Sequence, residues 1–289
     1  MSISVNDIRK AASQALVIGS STFRPDQIRA YERAIEKETD EKSRWVLEKT
    51  LENAAISEKD VSPLCDDTGI PHPFLEIGKD ARYEGSVYDL LKAVEEGVAD
   101  GLRELPGRPM AVKGEGLERM AQIHGLYEDS GKLLAAPVNV RKIDGSEIRV
   151  TVLMQGGGPE IRSKTYHVFH KHKEMQLIDT AVEWANEMVA KLGCTPCVPA
   201  IGIGRTHYEA SSMMIEAQKE GNFDIQSDIE NYITDKINKS DVGPLGLGGD
   251  VTALGTFLKI GEARGSGVRI LCVRLSCCFE PRKHTVVLR

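Results

Sequence analysis

Pro63-Leu64-Cys65-Asp66-Asp67-Thr68-Gly69-Ile70-Pro71 sets a thiol beside two carboxylates, a hydroxyl and a glycine, with proline on both sides. Proline and glycine fix the backbone of a turn. Packing has no use for such a combination. A site does, because the turn holds a soft metal ligand next to groups that bind or move protons. Two further cysteine groups, Cys194/Cys197 and Cys277/Cys278, raise the expectation that three thiolates converge.

On the N-terminal side of this turn the chain reads as helical and highly charged. Val5, Ile8, Ala12 and Leu16 follow a period near 3.6, and residues 26–36 and 41–54 repeat the pattern. Residues 1–60 are expected to form a helical layer. On the other side, 73–77 suits a short strand and 86–105 a helix. Residues 137–143 and 148–154 alternate as strands and are predicted to pair as a hairpin through Asp144-Gly145. Gly156-Gly157-Gly158 ends the second of them. A strong amphipathic helix is expected over 172–192, a buried strand over 198–203, helices over 211–219 and 225–237, and β-rich structure over 252–260, 268–278 and 284–288. Tyr166 to His172 reads as a polar loop or helix entry. The fold class is a mixed α/β (α+β) domain covering 1–289, a helical layer (1–60) followed by an α/β core (61–289).

The chain has 289 residues, 41% hydrophobic and 28% charged, with a formal net charge of −6. These values describe an ordinary globular protein and argue against nucleic acid or an anionic membrane as a partner. No apolar run approaches the roughly 18 residues of a membrane span, and residues 1–9 lack a signal-peptide core. A cytoplasmic location is expected. There disulfides are rare, and the six cysteines become either buried apolar residues or metal ligands.

Cys194-Thr195-Pro196-Cys197 has the C-x-x-C form. It could be half of a zinc site, but no second C-x-x-C exists. It could be a redox pair, but it precedes a strand rather than opening a helix. A third option takes one thiolate from each cysteine group. That set suits an iron–sulfur cluster with one iron unliganded by protein, and zinc with three thiolates and water fits the same spacing.

Four segments in register carry a family resemblance over essentially the whole chain. Pro63-Leu64-Cys65-Asp66-Asp67-Thr68-Gly69 resembles the P-[IL]-C-Q-D-T-G signature of the class I (iron–sulfur) fumarate hydratases and L-tartrate dehydratases, α subunit. The run from Cys197 to Gly204 is similar to that family's C-P-P-x-x-x-G-I-G. Gly246 to Leu254 is similar to G-L-G-G-x-T-A-L, and Cys278 to Lys283 to its closing C-W-A-D-R-R. The resemblance implies a [4Fe–4S] cluster held by Cys65, Cys197 and Cys278. Cys278 is chosen over Cys277 because Arg282 and Lys283 then fall on the family's basic pair. Cys194 and Cys272 become buried apolar cysteines.

The implied activity is that of a hydro-lyase acting on a small dicarboxylate, with the open iron as Lewis acid. Asp67, kept from the family, and Asp66 are the expected catalytic carboxylates. Arg108, in a segment similar to the family's L-R-P-x-V-V, is expected to clamp a substrate carboxylate. Gly157 and Gly158 resemble the family's substrate loop K-G-[GA]-G-S-E-N, with Glu160 in its acidic position. Arg205 stands where the family has a glycine and supplies a cation. Asp66 replaces a glutamine, an N-T stretch is missing near Asp129 to Gly131, and Arg264 to Ser266 occupy the place of a histidine. The leading expectation is fumarate/malate or tartrate as substrate; these departures suggest the alternative of a divergent member acting on a different hydroxy acid, and a non-catalytic metal-binding subunit is a third reading. In the family the proton-abstracting groups sit in a β subunit or C-terminal domain, so this chain is expected to be half of an enzyme, an α–α dimer within α2β2.

Overall fold

The computed structural model describes residues 2–289. In chain order the elements are helices α1 (Val5–Ser21), α2 (Pro25–Lys37) and α3 (Glu41–Asp60), strand β1 (Ile70–Gly78), helices α4 (Val87–Glu104) and α5 (Gly116–Met120), and strands β2 (Asn139–Ile143) and β3 (Ile148–Gln155). Then come the short helix α6 (Gly157–Glu160), strand β4 (Lys164–Phe169), helix α7 (Met175–Val189), strand β5 (Val198–Gly204), helices α8 (His207–Glu220) and α9 (Asp228–Asn238), and strands β6 (Phe257–Ile260), β7 (Val268–Ser276) and β8 (Arg282–Leu288). The mixed α/β class and the helical start are as expected. The chain divides into two compact units, each drawn from separated segments.

The first unit comprises Met1–Thr22, Ala54–Gln155 and Arg282–Arg289. Its sheet has the order β2-β1-β3-β8, with β1 and β2 parallel and the other pairs antiparallel. Ser4 and Ser86 open α1 and α4 with capping boxes to Asp7 and Asp89, which satisfy donors that a helix start leaves orphaned. Ile8, Leu90 and Val94 pack with Leu75, Ile148 and Val150, and Leu16, Val98 and Leu102 with Val152 and Met154. One face of β3 thus carries every second residue into the core. Gly97 lets α4 lie directly on α1, since a Cβ there would come within 2.1 Å of the Arg9 carbonyl. Prolines 71 and 73 are tolerated in β1 because pairing with β2 begins only at Phe74.

The predicted hairpin of β2 with β3 does not form: β1 lies between them. The turn itself is real, with Gly145 at φ +91°. Its groups bond the end of β1 instead, where the Asp80 and Gly78 amides donate to the carbonyls of Gly145 and Glu147 at 3.0 and 2.9 Å.

The second unit comprises Phe23–Asn53 and Gly156–Pro281. Its sheet runs β4-β7-β5-β6, with β5 and β6 parallel and the others antiparallel. Every residue of β5 is buried, as in strands covered on both faces. Ile201 and Ile203 join Leu271, Val273 and Leu275 of β7 under Ile178, Ala181 and Ala185 of α7 and Ile233 and Ile237 of α9. The opposite face is smaller: Ala200 and Cys272 meet Ala210 and Met214 of α8. A Cβ at Gly202 would lie 2.0 Å from the Ala210 carbonyl, so this glycine sets how close α8 comes. Tyr166 to Phe169 are strand rather than loop. They lie in β4, an edge strand with half-exposed residues on β7, whose weak alternation hid it.

Candidate functional site

In the first unit the Cys65 turn lies between α3 and β1. The Leu64 amide donates to the Ser20 carbonyl at 2.9 Å, anchoring the turn on α1. Thr68 is buried, and its hydroxyl accepts the Arg108 amide at 2.8 Å. Gly69 takes φ +85°, and a side chain there would meet the Gln155 carbonyl at 2.7 Å and the Arg282 guanidinium at 2.9 Å. Only glycine fits that conformation and space. Arg282 also donates to the Asp67 carbonyl at 2.7 Å. The Arg108 guanidinium donates to the Asp66 carboxylate at 2.9 Å, with side-chain exposures of 56% and 89%. Asp66, Asp67 and Arg108 are therefore brought together around Cys65, which is partly exposed.

In the second unit the sheet register does the gathering. Val198 pairs with Ser276 at the end of the ladder, so Cys197 directly precedes one strand and Cys277 directly follows the other. The Cys278 amide donates to the Cys194 carbonyl at 3.0 Å. Two cysteine groups some 80 residues apart thus meet at one end of the β5–β7 ladder. The Cys197 amide and carbonyl are held by the Thr252 carbonyl (2.7 Å) and the Leu254 amide (3.0 Å), which docks the Gly246-to-Leu254 motif on the same turn. Glu38 fixes that motif from α2's C-terminal end: its buried carboxylate accepts the amides of Asp250 and Val251 at 3.0 Å. Tyr31, fully buried, donates to the Cys278 carbonyl at 2.7 Å. Burial, with the neighbouring Cys278 and Cys277, pushes its phenol well above the usual range.

Cys197, Cys277 and Cys278 are buried. Burial pushes the Cys197 thiol up to about 12, so its thiolate needs a coordinated cation to form near neutrality. That donor set, soft thiols under apolar cover, fits an iron–sulfur cluster. Among the described residues no group of three or more His, Cys, Asp or Glu side chains forms a ready metal cage. Cys272 is buried as expected, accepting the Thr165 hydroxyl at 3.0 Å. Cys194 is exposed, which corrects the expectation that it is a buried apolar residue: its carbonyl, held by Cys278, fixes the turn while its side chain faces out.

Gly157 and Gly158 open α6 directly after β3. Gly158 is outside the left-handed region, and a methyl group there would touch nothing within 4 Å. Nothing among the described residues demands a glycine at that place, so the bare backbone suits close approach by something else. Arg205 is clasped by Glu209 one turn along α8. The Arg205 hydrogen bonds and charge hold the Glu209 carboxyl down at about 2.

Sequence reasoning missed the group behind the glycine turn. Arg274 of β7 and Glu280 have fully enclosed side chains and pair at 2.5 Å. Arg274 also donates to Ser276 Oγ (3.1 Å), Glu160 (3.2 Å) and the Gly156 carbonyl (3.0 Å), and Glu280 accepts the Gly156 amide at 2.6 Å. Burial disfavours the Arg274 cation, yet Glu280 keeps it above the ordinary arginine range. The readable signal was an arginine within the mainly apolar run Ile270–Leu275, where a solvent-facing position is the usual reading.

The family model described as fumarate hydratase (Fumerase) matches residues 9–287. A protein of Methanocaldococcus jannaschii provisionally named L(+)-tartrate dehydratase subunit alpha is 29% identical over 280 residues, 91% of this chain and 92% of that protein. A protein of Geobacillus stearothermophilus provisionally named fumarate hydratase class I is 23% identical over 257 residues, 83% of this chain and 47% of that protein. The chain thus spans about half the length of this second relative.

Proposed function

Because this chain belongs to the fumarate hydratase (Fumerase) family, we propose that it is the α subunit of an iron–sulfur hydro-lyase. It adds or removes water reversibly on a small dicarboxylate, fumarate/malate or tartrate. The whole of 1–289 acts as one α-subunit domain in the cytoplasm, dimerises, and works with a β subunit in an α2β2 assembly. No helix among the described residues is long and apolar enough to cross a membrane, in keeping with this reading. The observation that supports the proposal is the set of backbone hydrogen bonds that tie the Cys278 turn to Cys194 and Cys197 to Thr252 and Leu254 of the Gly246-to-Leu254 motif.

Cys65, Cys197 and Cys278 would hold a [4Fe–4S] cluster, which when bound supplies a Lewis acid for a departing hydroxyl. The chain's own residues supply recognition and proton handling. Arg108 and Arg205 each already bind a carboxylate, of Asp66 and Glu209. A substrate carboxylate presents the same two oxygens and can take over such a guanidinium. The amides of Gly157 and Gly158 donate to the charge that grows on the substrate carboxylate during proton removal. Asp67 orients water or hydroxyl. The base that takes the carbon-bound proton belongs to the β subunit.

Asp66 favours a second reading, that the substrate is a different hydroxy acid. A carboxylate in place of the family's glutamine adds negative charge and occupies Arg108, which disfavours some dianions and leaves room for others. Anaerobic reconstitution, with iron and sulfide analysis and the visible spectrum, tests the cofactor, with about four irons per chain expected. Zinc alone would overturn it. Co-expression with the β subunit and a screen over fumarate, malate, tartrate and other 2-hydroxy acids then decides the substrate. No turnover with an intact cluster and bound partner would leave a non-catalytic subunit.

A further inference from the structure

Gly156-Gly157-Gly158 is the tripeptide with the most backbone freedom this chain could encode, and ordering it is costly. Both polar backbone groups of Gly156 are nevertheless held by one enclosed ion pair, its amide by Glu280 at 2.6 Å and its carbonyl by Arg274 at 3.0 Å. Glu280 lies two residues after Cys278, and its amide donates to the Cys277 carbonyl at 3.0 Å. Arg274 lies four residues before Cys278 and also reaches Ser276 at 3.1 Å. The pair therefore touches the glycine turn on one side and both flanks of the cysteine turn on the other. Stability alone does not require it, since well-packed apolar side chains often match a buried ion pair. No apolar pair could hold an N–H and a C=O of the same residue.

We infer that Arg274 and Glu280 are positioning residues that fix the Gly156–Gly158 backbone relative to the Cys277–Cys278 turn. The inference rests on the preceding reading of Cys278 as a ligand and of the glycine amides as substrate donors. The pair holds substrate donors and cofactor ligand at a constant separation, where a displacement of about 1 Å costs on the order of a hundredfold in rate. Arg274 has no substitute in lysine. A single ammonium cannot reach Glu280, Ser276, Glu160 and the Gly156 carbonyl with the geometry of a planar fork.

Hydrogen exchange by mass spectrometry, read beside kinetics and the cluster spectrum of the holoenzyme with its β subunit, tests this. Three variants are compared: Arg274→Lys, Glu280→Gln, and the double variant Arg274→Met with Glu280→Leu. In the variants, exchange over residues 156–161 should quicken about tenfold while α7 and α9 exchange as in the wild type. That factor is the loss of a charge-assisted hydrogen bond. The kcat should fall by on the order of a hundredfold and KM change much less, with the cluster spectrum retained. The double variant, which leaves no unpaired buried charge, should melt above Glu280→Gln yet show the same local and kinetic defects, which a purely stabilising role would not produce. Wild-type exchange and kcat in the folded variants would overturn the inference, as would a failure of all three to fold. If the wild type holds no cluster and turns over no dicarboxylate, the functional reading fails instead, and the exchange result still reports on the tether.

Discussion

Cys65 lies partly exposed on a turn fastened by two guanidinium groups, one of them 56% exposed. Cys197 and Cys278 are buried, on turns fastened by backbone hydrogen bonds and by an ion pair closed to solvent. The same side-chain type is thus presented in two ways. Around Cys65 the Arg108–Asp66 pair remains screened by water and salt, so its partners can be exchanged at little cost, while Arg282 beneath it is buried. Around Cys278 each polar group is desolvated and any change leaves an orphan. The difference teaches where adaptation in this chain is cheap: substrate preference can drift at Asp66 and Arg108 while the buried turn stays fixed.

The largest expected effect would set the two kinds of turn side by side. Cys65→Ser and Cys278→Ser should each lower bound iron and activity by on the order of a hundredfold, since even partners of ligands cost 10–100-fold. Their metal-free proteins should differ in denaturant unfolding. Cys278→Ser buries a hydroxyl and loses about 1–3 kcal/mol, and Cys65→Ser loses little. Equal stabilities would erase the contrast.

Packing supplies a control with both sheets equally affected. Gly97→Ala and Gly202→Ala place a methyl group against a carbonyl in their respective units. Each should cost about 1–3 kcal/mol in urea unfolding, the usual range for overpacking. A neutral result at either would mean that its helix can move off.

At the exposed turn, Arg108→Ala should leave stability within about 0.5 kcal/mol and raise KM about tenfold, from the lost charge-assisted bond. Asp66→Asn should lower KM, because it frees Arg108. If Asp66→Asn raises it, the carboxylate serves substrate directly. The smallest effect is a titration. The Glu209 carboxyl is held at about 2 rather than 4.5, chiefly by its hydrogen bond to Arg205. A depressed carboxyl favours the fold fully above its unfolded value near 4.5, and that contribution fades as pH falls toward 2. Arg205→Ala should move the Glu209 midpoint up toward 4.5 by NMR titration. An unmoved midpoint would show that backbone amides hold it.

The helices were legible because Val5 to Leu16 and Val87 to Val98 repeat at the helical period, and their serine caps stand one residue before the start. The pairing of β2 was not legible. Asp144-Gly145 reports a turn, a local property, whereas the insertion of β1 depends on residues some 70 positions earlier. The thiol motifs stood out by composition. Arg274 and Glu280 did not, because a charged residue in a strand or in the loop after it reads as solvent-facing and only the closed lattice of partners reveals it. Cys194 was misjudged for a related reason: burial of a turn's backbone says little about where its side chain points.

The antiparallel pairing of β3 with β8, Ile148 with Leu288 through Met154 with Arg282, also bears on synthesis. A ribosome makes β3 more than 120 residues before the strand that completes its ladder. Throughout that interval β3 exposes a row of unbonded amides and carbonyls, the kind of edge that recruits other strands. Nascent chains are thus most vulnerable to aggregation late in translation, and a holdase that shields Ile148–Gln155 would raise the yield of native protein.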